Sequence, residues 1–280
     1  MPELPEVETI RRELDKEIIG RKIKSVEILG SRSVRRHESP SEPVARLQGK
    51  KITQVRRLGK YLLFDLDTKD ILVIHLGMSG QLLRAKGTKE PVAEHTHIII
   101  TLSQGGQLRF VDPRTFGEMF VSEPAENARR IPTQLAHLGF DPLSDQIGWT
   151  RFAAMLSSRK TQLKALLMDQ EFVAGIGNIY SDEILFASGL RYDRLSNSLS
   201  PQEARRLHRS MIELLNDAIQ MHGSSLADDA YKDIYGESGE FQGQHRVYNR
   251  EGLPCPRCKR KIMRTKLAGR STFYCAHCQL

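Results

Sequence analysis

The chain opens Met1-Pro2-Glu3, which places a secondary amine beside a carboxylate at its front end. Proline is small enough for the initiator methionine to be removed, so Pro2 is expected to become the mature N-terminus. An α-amino group titrates near pH ~8, against ~10.4 for lysine, so a sizeable fraction is neutral at pH 7 and able to attack. Attack on a sugar or carbonyl carbon gives an iminium, the covalent logic of a Schiff-base lysine. The residues that follow predict a helix, with Pro5 in the first turn, Val7, Ile10, Leu14 and Ile18 on one face, and Gly20 as its stop. Pro2 and Glu3 then precede a helix N-terminus, whose positive dipole end disfavours a protonated amine and favours a carboxylate. On this local pattern alone, an ordinary helix with an acidic first turn explains the residues equally well.

The second chemistry-bearing set is at the other end. Cys255-Pro-Arg-Cys258 and Cys275-Ala-His-Cys278 are two C-x2-C pairs, and no other cysteine is present. Their spacing is that of a four-cysteine zinc site built from two knuckles. Four thiolates leave no position open for substrate, so one zinc ion would be structural. Around them the chain is basic: of its net charge of +8, residues 250–280 carry seven, with eight Lys/Arg against Glu251. Such a patch is an electrostatic footprint for a phosphate backbone. Disulfides are the weaker explanation in a cytoplasmic setting.

These ends need a scaffold. At 280 residues there is room for one large domain or two ordinary ones. Apolar runs such as Ile71–Ile74 are far too short to span a bilayer, and the charged N-terminus carries no secretory signal. A soluble cytoplasmic protein is expected. Residues 23–122 read as short strands, at Ile23–Leu29, Ile52–Arg57, Tyr61–Leu66, Ile71–Leu76, His97–Leu102 and Gln107–Val111, the last two joined as a hairpin across residues 103–106. They predict a β-sandwich packed on the first helix. Beyond about residue 130 the pattern turns helical, at Thr150–Ser158, Gln162–Asp169 and Ile179–Ala187. Ser200-Pro201-Gln202-Glu203 is a capping box opening a further helix that ends at Gly223. Residues 224–254 read as a loop leading to the cysteines.

Within this frame, Gly175-Ile-Gly177-Asn178 is a glycine-rich approach to a helix N-terminus, where outward N–H groups suit a phosphate, although a tight inter-helical turn explains it too. Gly59-Lys60 places a lysine at a strand entrance. The runs His75-Leu-Gly-Met78-Ser-Gly80 and Asp112-Pro113-Arg114-Thr115-Phe116-Gly117 end strands in turns that would expose Met78, Arg114 and Phe116, although Met and Phe more often join the core. Glu94-His95-Thr96-His97 is a weak metal signal. Leu267–Cys275 reads as a hairpin with Gly269-Arg270 at its tip, where an arginine can fork onto phosphate oxygens.

The opening Pro2-Glu3-Leu4-Pro5-Glu6-Val7-Glu8-Thr9, together with these separated motifs, resembles the formamidopyrimidine-DNA glycosylases, bacterial enzymes that excise oxidised purines. The resemblance spans the whole chain. It implies an α+β fold in three parts: a catalytic N-terminal helix and β-sandwich (1–130), a helix-two-turn-helix unit with a lesion-capping loop (131–245), and a zinc ribbon (246–280). It implies Pro2 as the nucleophile, Glu3 as the proton shuttle, and Lys60 and Arg270 on the phosphates beside the lesion, with Glu6 in support. His75, His95, Arg159 and Asn178 match DNA-contact positions. Met78 and Phe116 would fill the gap left by an extruded base, and Arg114 would donate to the orphaned cytosine. The implied activity is β,δ-eliminating glycosylase and abasic-site lyase action in base excision repair, by a monomer at the nucleoid on double-stranded DNA, with zinc and no redox or nucleotide cofactor. Two departures stand out. The stretch Leu226–Tyr235, with Asp228, Asp229 and Asp233, differs from familiar capping loops, and Thr115 replaces a second basic residue. Two alternatives remain at this point: a sister enzyme for oxidised pyrimidines, whose N-terminus would run Pro-Glu-Gly, and a non-catalytic zinc-ribbon DNA binder.

Overall fold

A computed structural model describes residues 1–125, 130–226 and 231–280, so Asp228 and Asp229 of the capping stretch lie outside the described residues. The chain forms two compact units, one of residues 1–137 with 221–240, the other of residues 138–220 with 241–280.

In the first unit, α1 (Leu4–Ile18) buries Val7, Ile10, Leu14 and Ile18 completely, as its periodicity predicts. Among the described residues, eight strands build two antiparallel four-stranded sheets. One has the order β1-β6-β7-β5, from β1 (Ile23–Ile28), β6 (Thr96–Leu102), β7 (Gln107–Val111) and β5 (Gln81–Ala85). The other runs β2-β3-β4-β8, from β2 (Ile52–Leu58), β3 (Tyr61–Leu66), β4 (Ile71–His75) and β8 (Glu118–Ser122). Inward side chains of both sheets, among them Val26, Phe64, Ile74, Ile98, Phe110 and Val121, share one core with α1. This is the expected sandwich, with two strands the pattern does not reveal. Strand β5 reads Gln-Leu-Leu-Arg-Ala, with no β-branched or aromatic residue, and is set by its pairing with β7. Strand β8 is fixed by its register against β4, Ile71↔Ser122 to His75↔Glu118. A short helix, α2 (Ser41–Leu47), also escapes the sequence pattern, because Pro40 and Pro43 read as breakers.

The second unit contains α3 (Trp149–Ser157), α4 (Leu163–Met168), α5 (Asn178–Ser188) and α6 (Pro201–Gln220). The capping box of α6 forms as expected: the Glu203 carboxylate accepts the Ser200 N–H at 2.8 Å, and the Ser200 hydroxyl accepts the Glu203 N–H at 3.3 Å. One face of α6, including Leu207, Met211, Leu215 and Ala218, is buried. The hairpin of β9 (Met263–Leu267) and β10 (Arg270–Tyr274) closes the chain.

Candidate functional site

At the front of α1, Pro2 and Glu3 are buried, Glu3 to 2 % exposure. Glu3 is the N-cap. Its side chain accepts the Glu6 N–H while the Glu6 carboxylate accepts the Glu3 N–H at 2.8 Å, a reciprocal cap with two carboxylates at the helix's positive end. The other Glu6 oxygen accepts the Ser224 N–H at 2.7 Å. Glycine is required at 223, because φ is +77° and a Cβ would lie 2.6 Å from that same oxygen. Glu6 therefore stitches the segment after α6 to the front of the chain.

Lys60 is also buried. Gly59 beside it adopts φ +55°, and its carbonyl accepts a hydrogen bond from Arg57 at 3.0 Å. The same guanidinium donates to Glu8 on α1 at 3.0 Å. Burial works to raise the Glu8 carboxyl, but hydrogen bonds from Arg11 and Arg12 and the charge of Arg57 hold it below the usual range. Glu8 and Arg57 thus tie the lysine turn to the helix that carries Pro2 and Glu3. Sequence reasoning missed this pair. The available signal was an arginine at an inward position of β2 matched by a glutamate on the buried face of α1.

Met78, Arg114 and Phe116 are all exposed, Met78 at 40 % and Phe116 at 45 %, so neither apolar residue joins the core. The Arg114 guanidinium lies 5.0 Å from the centre of the Phe116 ring. Their two turns are in contact: a Cβ on Gly77 would come within 2.4 Å of the Gly117 nitrogen. His75, at the end of β4, stacks against Tyr61 with ring centres 4.6 Å apart. Burial, outweighing the Glu118 charge, pushes it down to about 4, so it is neutral at pH 7. His95 is exposed beside Glu94, whereas His97 faces the Asp112 carbonyl at 2.9 Å. Among the described residues these two histidines do not join a metal-ligating cluster.

In the second unit, Gly175 has φ +104° and Gly177 caps α5 directly before Asn178. The Asn178 Oδ1 is buried with no hydrogen-bond partner among the described residues. Arg159 is exposed, 3.8 Å from Asp169. Arg270 is exposed as the first residue of β10, and the turn itself is Ala268-Gly269, both with positive φ, a type I′ arrangement shifted one residue from the expected tip. Two buried carboxylates of α5 anchor the ribbon. Asp182 accepts from Lys164 at 2.7 Å and from the Phe273 N–H at 2.9 Å. Glu183 accepts the N–H groups of Arg246, Val247 and Tyr248 at 2.8–3.0 Å. Both belong to the run after Asn178 that the sequence presents only as a helix.

The four cysteine sulfurs gather with all ligand atoms within 4.8 Å of one another. The pairs Cys255–Cys278 and Cys258–Cys275 are 3.8 and 3.5 Å apart. Zn–S bonds of ~2.3 Å in a tetrahedron require sulfurs about 3.8 Å apart, so the set fits zinc and is too long for disulfides.

A helix-headed sandwich, a helical unit and a four-cysteine hairpin, with arginine, methionine and phenylalanine turned to solvent, define a modular zinc-ribbon protein of the nucleic-acid-binding class. Three family profiles match in sequence: formamidopyrimidine-DNA glycosylase N-terminal domain over residues 1–119, formamidopyrimidine-DNA glycosylase H2TH domain over 138–229, and the zinc finger found in FPG and IleRS over 252–280. The chain belongs to the formamidopyrimidine-DNA glycosylase family. It is 41 % identical to the formamidopyrimidine-DNA glycosylase of Pelotomaculum thermopropionicum, covering all of this chain and 99 % of that one. Among solved structures it is similar to Lactococcus lactis Fpg in complex with abasic-site DNA (TM-score 0.87, 33 % identity, 99 % of each chain). A MutM complex with carbocyclic 8-oxo-G DNA gives TM-score 0.86 at 34 % identity, again over 99 % of each chain.

Proposed function

We propose that this protein is a bifunctional DNA glycosylase and abasic-site lyase that removes oxidised purines, 8-oxoguanine and formamidopyrimidines, from duplex DNA in base excision repair. The observation that carries the reading is full-length family membership joined to a buried, doubly capped Pro2-Glu3 at the head of α1. Once Met1 is removed, the Pro2 nitrogen attacks C1′ of an extruded nucleotide and the base departs. Glu3 delivers the proton that opens the sugar ring, leaving an iminium. The iminium acidifies the C2′ proton; its removal expels the 3′ phosphate, and a second elimination expels the 5′ phosphate. A one-nucleotide gap with phosphate ends remains. Lys60 and Arg270 hold the phosphates beside the lesion, and His75, His95, Arg159 and Asn178 contact the backbone around it. His75, neutral at pH 7, serves by hydrogen bonding and not by charge.

Extruding a base costs a few kcal/mol of unstacking. Met78 and Phe116 fill the vacated space, and Arg114 donates to the cytosine left behind; the exposure of all three supports that role. Cys255, Cys258, Cys275 and Cys278 hold one structural zinc, which stabilises the hairpin carrying Arg270. We assign the chemistry to residues 1–130, backbone grip and lesion capping to 131–245, and the ribbon to 246–280, in a cytoplasmic monomer working at the nucleoid. Among the described residues no helix is long and apolar enough to cross a membrane.

Borohydride trapping tests the reading. A covalent adduct is expected on duplexes with 8-oxoguanine opposite cytosine, and peptide mass spectrometry should place it on Pro2. Preferential trapping on an oxidised pyrimidine would make this the sister enzyme. No adduct on either would leave a DNA binder without chemistry.

A further inference from the structure

Asp112 is fully buried, and its side chain is held from two different turns. Its Oδ1 accepts the Ser79 hydroxyl at 2.7 Å and the Arg114 N–H at 3.3 Å, and its Oδ2 accepts the Gly117 N–H at 2.7 Å. The Ser79 bond reaches the turn that carries Met78, while the other two reach the loop that carries Arg114 and Phe116. The loop needs such a hold, since Thr115 lies in the left-handed region at φ +54°. On its outer side Arg35 donates to the carbonyls of Gly117 at 2.8 Å and Phe116 at 3.3 Å and pairs with Glu118 at 3.0 Å. Gly77 packs against the Gly117 backbone with no space for a Cβ. The two turns are therefore one rigid body, and Asp112 is the carboxylate that joins them.

We propose that Asp112 is a specificity-determining positioning residue: it fixes Arg114 and Phe116 relative to Met78, and so sets how strongly the base opposite the lesion is discriminated. The physical argument is one of preorganisation. A side chain inserted into a duplex rewards the protein only if its neighbour reaches the orphaned base without further ordering cost. Cytosine and adenine present different donors and acceptors to Arg114, so discrimination depends on where the guanidinium is held. At 112 a carboxylate accepts from both turns through Oδ1 and from the Gly117 N–H through Oδ2, whereas an amide must either turn its NH2 against the Gly117 N–H or give up both Oδ1 bonds. This inference rests on the glycosylase reading above.

The test is single-turnover incision of 8-oxoguanine opposite cytosine and opposite adenine, with the full-length zinc-loaded protein. Asp112→Asn should narrow the ratio of the two rates about tenfold, the factor attached to one hydrogen bond to a charged group. Ser79→Ala removes only the bridge to the Met78 turn and leaves both backbone N–H bonds to Asp112, so it should narrow the ratio less, about threefold. Ser79→Thr, which keeps the hydroxyl, should restore the wild-type ratio. On a duplex lacking a base in both strands at the site there is nothing to read, and trapping by the Ser79→Ala protein should match wild type. Ratios unchanged in both variants would overturn the inference, as would an equal loss on every duplex, the baseless one included. A wild-type protein inactive on all of these would instead overturn the glycosylase reading.

Discussion

Glu13 offers a prediction whose sign and size can be worked out. It sits on the buried side of α1, where its carboxylate accepts the Ile234 N–H at 3.2 Å. Asp233 is its close neighbour, itself held by the N–H groups of Tyr235 and Glu237 at 2.9 and 2.8 Å. Burial first, and then the Asp233 charge, push Glu13 from 4.5 up to about 7, against the hydrogen bond from Ile234 and the charge of Lys16. Between those values the folded protein keeps a proton that the unfolded chain has released. The stabilisation is therefore complete below pH about 4.5 and is lost as pH rises through about 7. A shift of that size is worth about 3 kcal/mol at ~1.4 kcal/mol per pH unit, brought to on the order of 2 kcal/mol by solvent screening. Glu13→Gln keeps the acceptor for Ile234, gains a donor for Asp233 and cannot ionise. At pH 8 it should be more stable than wild type by on the order of 2 kcal/mol, a rise in Tm of about 4–8 °C, while at pH 4.5 the two should nearly coincide. Scanning calorimetry across that range reads the difference directly. His222, with Nδ1 3.6 Å from Glu13, would favour the carboxylate when protonated. Repeating the pair in a His222→Asn background, where asparagine tolerates the φ of +57°, removes that contribution. Parallel wild-type and Glu13→Gln curves, or a variant less stable at pH 8, would refute the reasoning.

Four further outcomes are expected. Lys164→Met strands the buried Asp182 carboxylate and should cost about 3–5 kcal/mol in urea unfolding, with much of the loss recovered in the Lys164→Met/Asp182→Asn double variant. Chelation should release about one zinc per chain by mass spectrometry and loosen the ribbon, read as faster amide exchange along β9 and β10, and Cys255→Ser should prevent stoichiometric loading. Ser200→Ala should cost about 1 kcal/mol through loss of the α6 cap. Glu203, held down to about 2 chiefly by Arg194, stabilises fully above its ordinary value of 4.5; that contribution should fade as pH drops from there towards about 2.

What could be read from sequence was whatever local chemistry decides. The 3.6-residue period set the buried face of α1, the Ser200–Glu203 box located the start of α6, and two C-x2-C pairs announced the sulfur cluster. Turn residues placed Met78, Arg114 and Phe116 near strand ends, yet composition favoured a core position for the two apolar ones. Their exposure depends on how β4, β5, β7 and β8 pair, which is long-range information. The same holds for Glu8 with Arg57, for Asp112 with Ser79, and for Asp182 with Phe273. In each case one partner is an ordinary-looking polar residue until the fold delivers the other from tens of positions away. Strand β5 illustrates the converse, a segment with weak intrinsic preference recruited by a neighbour.

Ser225 donates its hydroxyl to the Tyr231 carbonyl at 2.9 Å and accepts the Gly239 N–H at 3.0 Å, just beyond the Glu6 stitch at Ser224. Ser225 thus fastens Tyr231 and Gly239 to the segment that Glu6 holds against the front of α1. The seating of Pro2 and Glu3 and that of the chain around Tyr231 are therefore one shared property, and a change that loosens either loosens both.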